Sequence, residues 1–202
     1  MKRIIFLILL GGIFLSSTMA QAVELTGFYG YMVNTDLKTY YGNFSMDDAA
    51  NYGGILSVEV RPDVFAEFLY NRTDTDFRYT FDNSTEPMDV STEYYQLGGL
   101  RSMGSGKVQP FAAMSLGAAR FYLKESYGQF SEDALWAFAT TVGLGAKVFL
   151  NDKLGIRVQA RMDLPMRAEG FYIGTGGTGG TFVVPVWQFD FTGGLFLRLG
   201  GS

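Results

Sequence analysis

A chain of 202 residues has the size of one domain, and 26 Gly, 18 Phe and 12 Tyr, with aromatics at 16%, are more than an average water-soluble domain carries. The absence of Cys and His excludes a disulfide framework, a thiolate metal site and histidine-based acid–base catalysis. The formal charge is −4, or −6 once the leader cations Lys2 and Arg3 are gone, which argues against a nucleic-acid partner.

The first residues read as an export signal. Met1-Lys2-Arg3 is a basic start, Ile4 to Leu15 is an apolar run, and Ser16 to Ala22 is a small-residue stretch ending in Ala20-Gln21-Ala22. This predicts a signal peptide over residues 1–22 and a mature domain over residues 23–202. An uncleaved anchor is the weaker reading, because a spanning helix wants ~20 apolar residues. Later apolar runs are broken at every second or third position by a polar residue or glycine. If the mature chain enters a membrane, it does so as strands.

Eight runs of period two follow. They lie near Glu24 to Val33, Gly53 to Arg61, Val64 to Thr73, Ser91 to Arg101, Val108 to Leu123, Trp136 to Leu150, Leu154 to Leu164 and Val186 to Leu199. The second and third join at the Arg61-Pro62-Asp63 corner, the fourth and fifth through Met103 to Lys107, and the sixth and seventh at Asn151-Asp152-Lys153. Long polar segments follow the first, third, fifth and seventh runs. Short turns at one end and long loops at the other, with both termini on the short-turn side, suit a barrel entered from the periplasm.

The faces decide which side is wet. In Leu154 to Leu164, Leu154, Ile156, Val158, Ala160, Met162 and Leu164 share one face and Arg157, Gln159, Arg161 and Asp163 the other. The last run sets Trp187, Phe189, Phe191, Leu195, Leu197 and Leu199 against Gln188, Asp190, Thr192, Gly194, Phe196 and Arg198. The sixth sets Trp136, Phe138, Val142, Leu144, Ala146 and Val148 against Ala137, Ala139, Thr141, Gly143, Gly145 and Lys147. A soluble barrel fills its interior with bulky apolar groups. A narrow lipid-embedded one needs small and polar groups inside and a greasy band outside, so the charged faces are expected to look inward. The fifth run leaves its phase open, since putting Ala113, Ser115 and Gly117 inside leaves Arg120 outside.

The stretch Tyr94 to Phe121, "YYQLGGLRSMGSGKVQPFAAMSLGAARF", resembles a hairpin of the small OmpA/OmpX-like outer-membrane β-barrels, the porin-family barrel domains. The chain end, with Thr192, Gly194, Leu197 and Leu199, looks like the signal read by the barrel-assembly machinery, although the chain closes on Leu199-Gly200-Gly201-Ser202 where many members end on an aromatic residue. The resemblance implies an all-β fold, a transmembrane up-and-down antiparallel β-barrel of eight strands preceded by a signal peptide. It further implies a monomer in the bacterial outer membrane whose partners are outer-membrane lipid, the assembly machinery and a surface ligand met by the external loops.

The expected phases place Glu59, Glu67, Lys147, Arg157 and Arg198 in one inward layer near the short turns, with Arg161, Asp163 and Asp190 in a second layer above. One reading is a plug of ion pairs in which Glu59 or Glu67 meets Arg157 or Arg161; the other is a polar constriction that passes small solutes. A carboxylate-only site from Asp74, Asp76 and Asp82 is conceivable, but such acids suit a solvated rim, and no enzyme activity and no cofactor are expected. The glycine-rich segment Gly174 to Gly180 lacks the Lys-Ser/Thr of a phosphate cradle and reads as a mobile external loop. The leading functional reading is a non-catalytic barrel serving envelope integrity or surface interaction; the alternative is a narrow OmpW-like channel for small or hydrophobic solutes.

Overall fold

The computed structural model describes residues 22–34, 37–39, 42–81, 84–123, 134–174, 177–183 and 187–200, so the expected signal peptide lies outside the described residues except for its last position, Ala22. The strands are β1 (Val23–Asn34), β2 (Leu37–Thr39), β3 (Gly42–Met46), β4 (Ala49–Arg61), β5 (Val64–Phe81), β6 (Ser84–Ser102), β7 (Val108–Leu123), β8 (Leu135–Phe149), β9 (Leu154–Gly174), β10 (Gly177–Val183) and β11 (Gln188–Leu199). Eight of them close a ring in the order β1, β4, β5, β6, β7, β8, β9, β11, with every neighbouring pair antiparallel. Closure comes from β11 pairing with β1, from Val23 opposite Leu199 to Asn34 opposite Gln188. A closed ring leaves no unpaired edge in the wall, the condition for strands to cross a bilayer.

The faces are inverted relative to a soluble barrel. Leu97, Leu144, Leu195, Phe138, Phe191, Met114 and Trp136 are exposed, while Glu24, Asn51, Gln96, Lys147, Gln188 and Asp190 are buried. On β7, Phe111 and Ala119 are buried and Met114 and Leu116 exposed, which puts Ala113, Ser115 and Gly117 inside and Arg120 on the outer face.

Glycine makes the narrow bore fit its large rings. A Cβ at Gly155 would stand 2.3 Å from Phe196 Cζ, one at Gly145 would stand 2.5 Å from Phe111 Cζ, and one at Gly53 would stand 2.7 Å from Phe28 Cζ. Each ring therefore lies over a glycine of a neighbouring strand, which packs the interior without spreading the wall.

At the short-turn end, Asp63 takes a φ of 64° and Gly104 a φ of 111°, and Asn151 Oδ1 accepts from the amides of Lys153 (2.9 Å) and Leu154 (2.8 Å). At the other end the expected loops are largely strand. β5 and β6 run on to Phe81 opposite Ser84, and β9 continues to Gly174 and pairs with β10, from Gly177 opposite Gly174 to Val183 opposite Arg167. The β2–β3 hairpin attaches to β5 through Asn43 to Met46. The sequence ends these strands earlier, because polar composition alone reads as loop. Thr, Tyr and Phe favour extended backbone, so a stretch that mixes them with polar residues pairs as strand despite its polarity. The glycine-rich segment is likewise hairpin backbone in its described part.

Candidate functional site

The site is the filled lumen. Its lower layer, toward the short turns, is built on Glu24 of β1, which accepts from Lys147 Nζ at 2.5 Å and from Arg198 Nη2 at 2.6 Å. Across the bore Arg157 grips Glu67 with two parallel bonds of 2.7 and 3.1 Å, and Ser57 Oγ donates to the same carboxylate at 2.7 Å. The fork geometry is the strong form of an arginine–carboxylate pair. Aromatic rings cover the cations: Lys147 lies 4.0 Å from the Phe65 centroid, Arg157 4.6 Å from Phe111 and Arg198 4.6 Å from Phe149.

The second layer is centred on Arg161, whose Nη2 pairs with Asp190, and Asn71 Nδ2 donates to the same oxygen at 3.0 Å. Asp163 accepts from the Thr141 hydroxyl; that hydroxyl accepts from Gln96 Nε2 at 2.6 Å, and Ser115 donates to Gln96 Oε1 at 3.0 Å. Above it, the Tyr94 hydroxyl donates to Gln188, and Gln188 Nε2 donates to Asn34 Oδ1 at 2.6 Å. Glu24, Glu67, Asp163 and Asp190 balance Lys147, Arg157, Arg161 and Arg198, with the lower layer net positive and the upper net negative.

Between the layers lies a cavity of about 20 Å³ lined by Glu67, Ser115, Thr141, Arg157, Gln159 and Arg161 among others. That is room for about one water molecule.

Of the residues singled out from sequence, Glu67, Lys147, Arg157 and Arg198 lie in the lower layer, and Arg161, Asp163 and Asp190 in the upper. Glu59 does not join them. It is half-buried at the register shift between Glu59 and Arg61, where the ladder of β4 slips, and no ion pair to it is found among the described residues. Its expected place is taken by Glu24, which sequence reasoning missed. The alternation Glu24, Thr26, Phe28, Gly30, Met32 against Leu25, Gly27, Tyr29, Tyr31 was the available signal. Asp163 meets a hydroxyl in place of an arginine. In the C-terminal strand, Thr192 is buried and Gly194 half-buried on the inner side, whereas Leu197 and Leu199 are exposed on the outer. Asp74 is held by Arg72 and Ser91 on the wall and not by other acids, and Asp82 lies outside the described residues.

No family model and no curated protein sequence matches the chain. Solved structures do. OprG of Pseudomonas aeruginosa superposes with a TM-score of 0.65 at 12% identity, over 90% of this chain and 97% of that one. The fold is that of the small outer-membrane β-barrels. Neisserial surface protein A gives a TM-score of 0.60 at 9% identity, over 89% of this chain and 97% of that one. The outer membrane protein W of E. coli gives 0.51 at 13% identity, over 91% of this chain and all of that one.

Proposed function

We propose that this outer-membrane β-barrel is a non-catalytic, closed barrel that serves the envelope as a rigid wall element and offers its external hairpins for surface contacts. The observation that carries the reading is the filled bore, with two charge layers stacked across the lumen and space for about one water between them. Paired, aromatic-covered charges of this kind hold strand register and, on this reading, close the bore. The external end, by contrast, extends as paired strands beyond the upper layer.

A specific feature favours a second reading, the narrow channel. Arg161 Nε and Nη1, Asp163 Oδ2, Asp190 Oδ1 and both side-chain polar atoms of Asn51 are buried without a protein partner. Such a mixed set of donors and acceptors suits internal water, and in that reading only rearrangement of the lower layer separates it from a path.

Single-channel conductance of the refolded protein in planar bilayers, beside Arg157→Ala, tests both. The closed reading expects a heat-modifiable, inserted barrel that stays silent in both forms. Stable unitary steps in the native protein that change in Arg157→Ala overturn it in favour of the channel.

A further inference from the structure

The outer wall carries a row of charged and aromatic residues where its apolar band ends, with Asp74, Ser91 and Tyr122 next above it. Tyr52, Arg72, Glu93, Arg120 and Trp136 stand directly opposite one another on β4 to β8. Glu93 faces outward yet is only 5% exposed, because the two arginines and two tyrosines close over it. Arg120 Nη1 reaches Oε2 at 3.1 Å and Arg72 Nη1 reaches Oε1 at 3.5 Å, while the Tyr95 and Tyr70 hydroxyls donate at 3.0 and 3.2 Å.

The two arginines are not equivalent. Arg72 also holds Asp74, through Nη2 at 3.1 Å and Nε at 3.3 Å. Arg120 uses only Nη1; its Nε and Nη2 have no acceptor among the described residues, and its side chain is 36% exposed. Its guanidinium lies 4.6 Å from the Tyr122 centroid and 5.9 Å from Trp136. Arg72 and Arg120 are matched in number by Glu93 and Asp74; because Asp74 sits on β5, two strands from Arg120, it draws on Arg72 and leaves the remaining Arg120 nitrogens free to donate elsewhere.

Depth settles what a guanidinium meets here. From Arg101, at the short-turn edge of β6, to Glu93 is eight residues, which at ~3.3 Å each and ~40° tilt rise ~20 Å. The apolar band of such barrels is ~25 Å tall, so the row lies at its upper edge, where tyrosines and tryptophan mark the interface. Donors on a lipid-facing wall at that level meet headgroups, and an arginine fork matches a phosphate.

We propose that Arg120, braced by Glu93 and framed by Tyr122 and Trp136, docks the phosphate of a lipid headgroup in the outer leaflet. The site requires that the wall face lipid and is independent of whether the bore conducts.

The test uses the refolded barrel in dodecyl maltoside with dioleoyl phosphatidic acid as probe and dioleoylglycerol, the same chains without phosphate, as control. Phosphatidic acid is expected to give a one-lipid adduct by native mass spectrometry and to raise the thermal unfolding midpoint read by gel mobility. Arg120→Gln is expected to weaken the adduct at least fivefold, and Arg101→Gln, at the opposite edge of the band, to leave it unchanged. Equal effects of the two lipids, the same shift from inorganic phosphate at equal concentration, or an undiminished adduct in Arg120→Gln each overturn the proposal. Should Arg120→Gln fail to refold, the comparison of phosphatidic acid with dioleoylglycerol on the native barrel still decides.

Discussion

At the scale of single residues, Glu24 is the most consequential side chain in the bore. It holds two cations at once, Lys147 with no exposed side-chain surface and Arg198 nearer the mouth. Removing one member of a buried ion set leaves the others without compensation, and such losses cost ~3–5 kcal/mol where burial is complete. Glu24→Gln is therefore expected to lower the urea unfolding midpoint of the refolded barrel sharply, and Glu24→Gln with Lys147→Met to recover part of the loss. A single variant as stable as the native barrel would sink the assignment. The pair was half legible in the sequence. Lys147 stands out as the charge on a small, inward face, whereas Glu24 opens the first run, one residue past the start of the expected mature domain, and its run is left unphased. Glu59 misled for a related reason: period two places it inward, and the slip in the β4 ladder that ends its usefulness has no sequence signature.

At the scale of elements, the strands were legible because alternation on each is an independent record of the wall. Leu154 to Leu164 sets glycine, polar or charged residues against apolar ones at every step, and β7 has the same ends in the structure as in the sequence reading. The external halves of β5, β6 and β9 are not legible as strands, since their sequences mix polar and aromatic residues and alternation there has no purely apolar side. The glycines divide in a way that alternation alone does not reveal. Gly155 faces the bore beneath Phe196, whereas Gly27 and Gly193 face lipid with nothing within 4 Å of an added Cβ. Gly155→Ala forces Phe196, and with it the T-shaped contact to Phe149 at 5.0 Å, out of place, an overpacking that costs ~1–3 kcal/mol. Gly27→Ala and Gly193→Ala restrict only the unfolded chain and are expected to be neutral or to stabilise by ~0.4–1 kcal/mol. Urea unfolding of the three variants reads the contrast directly; an equal loss in all three would mean that the ring does not depend on the glycine beneath it.

At the scale of the whole molecule, the barrel divides into a membrane body and an external extension that share strands but not interior. The ion-pair layers lie on β1, β5, β8, β9 and β11 below the level of Asn34, whereas the β5–β6 pair climbs on from Asp76 opposite Asp89 to Phe81 opposite Ser84. A short ribbon of the β5–β6 ends with the β2–β3 hairpin alongside is stabilised by its own pairing and contributes little to a body already closed by eight strands. Excising residues 77–88 and joining Asp76 to Asp89 through Asn-Gly preserves the register of every pair beneath, and shortening a surface connection changes its closure entropy by well under a kcal/mol. The trimmed protein is therefore expected to refold with the native heat-modifiable shift and an unchanged urea midpoint, although β3 loses the β5 partners Phe77 to Thr80. A midpoint that falls with the excision would mean that the extension braces the bore from above, and the division into body and ribbon would fail. If the midpoint holds, the ribbon is free of structural duty, and a surface ligand lost on trimming can be assigned to the hairpin itself because the barrel beneath it is unaltered.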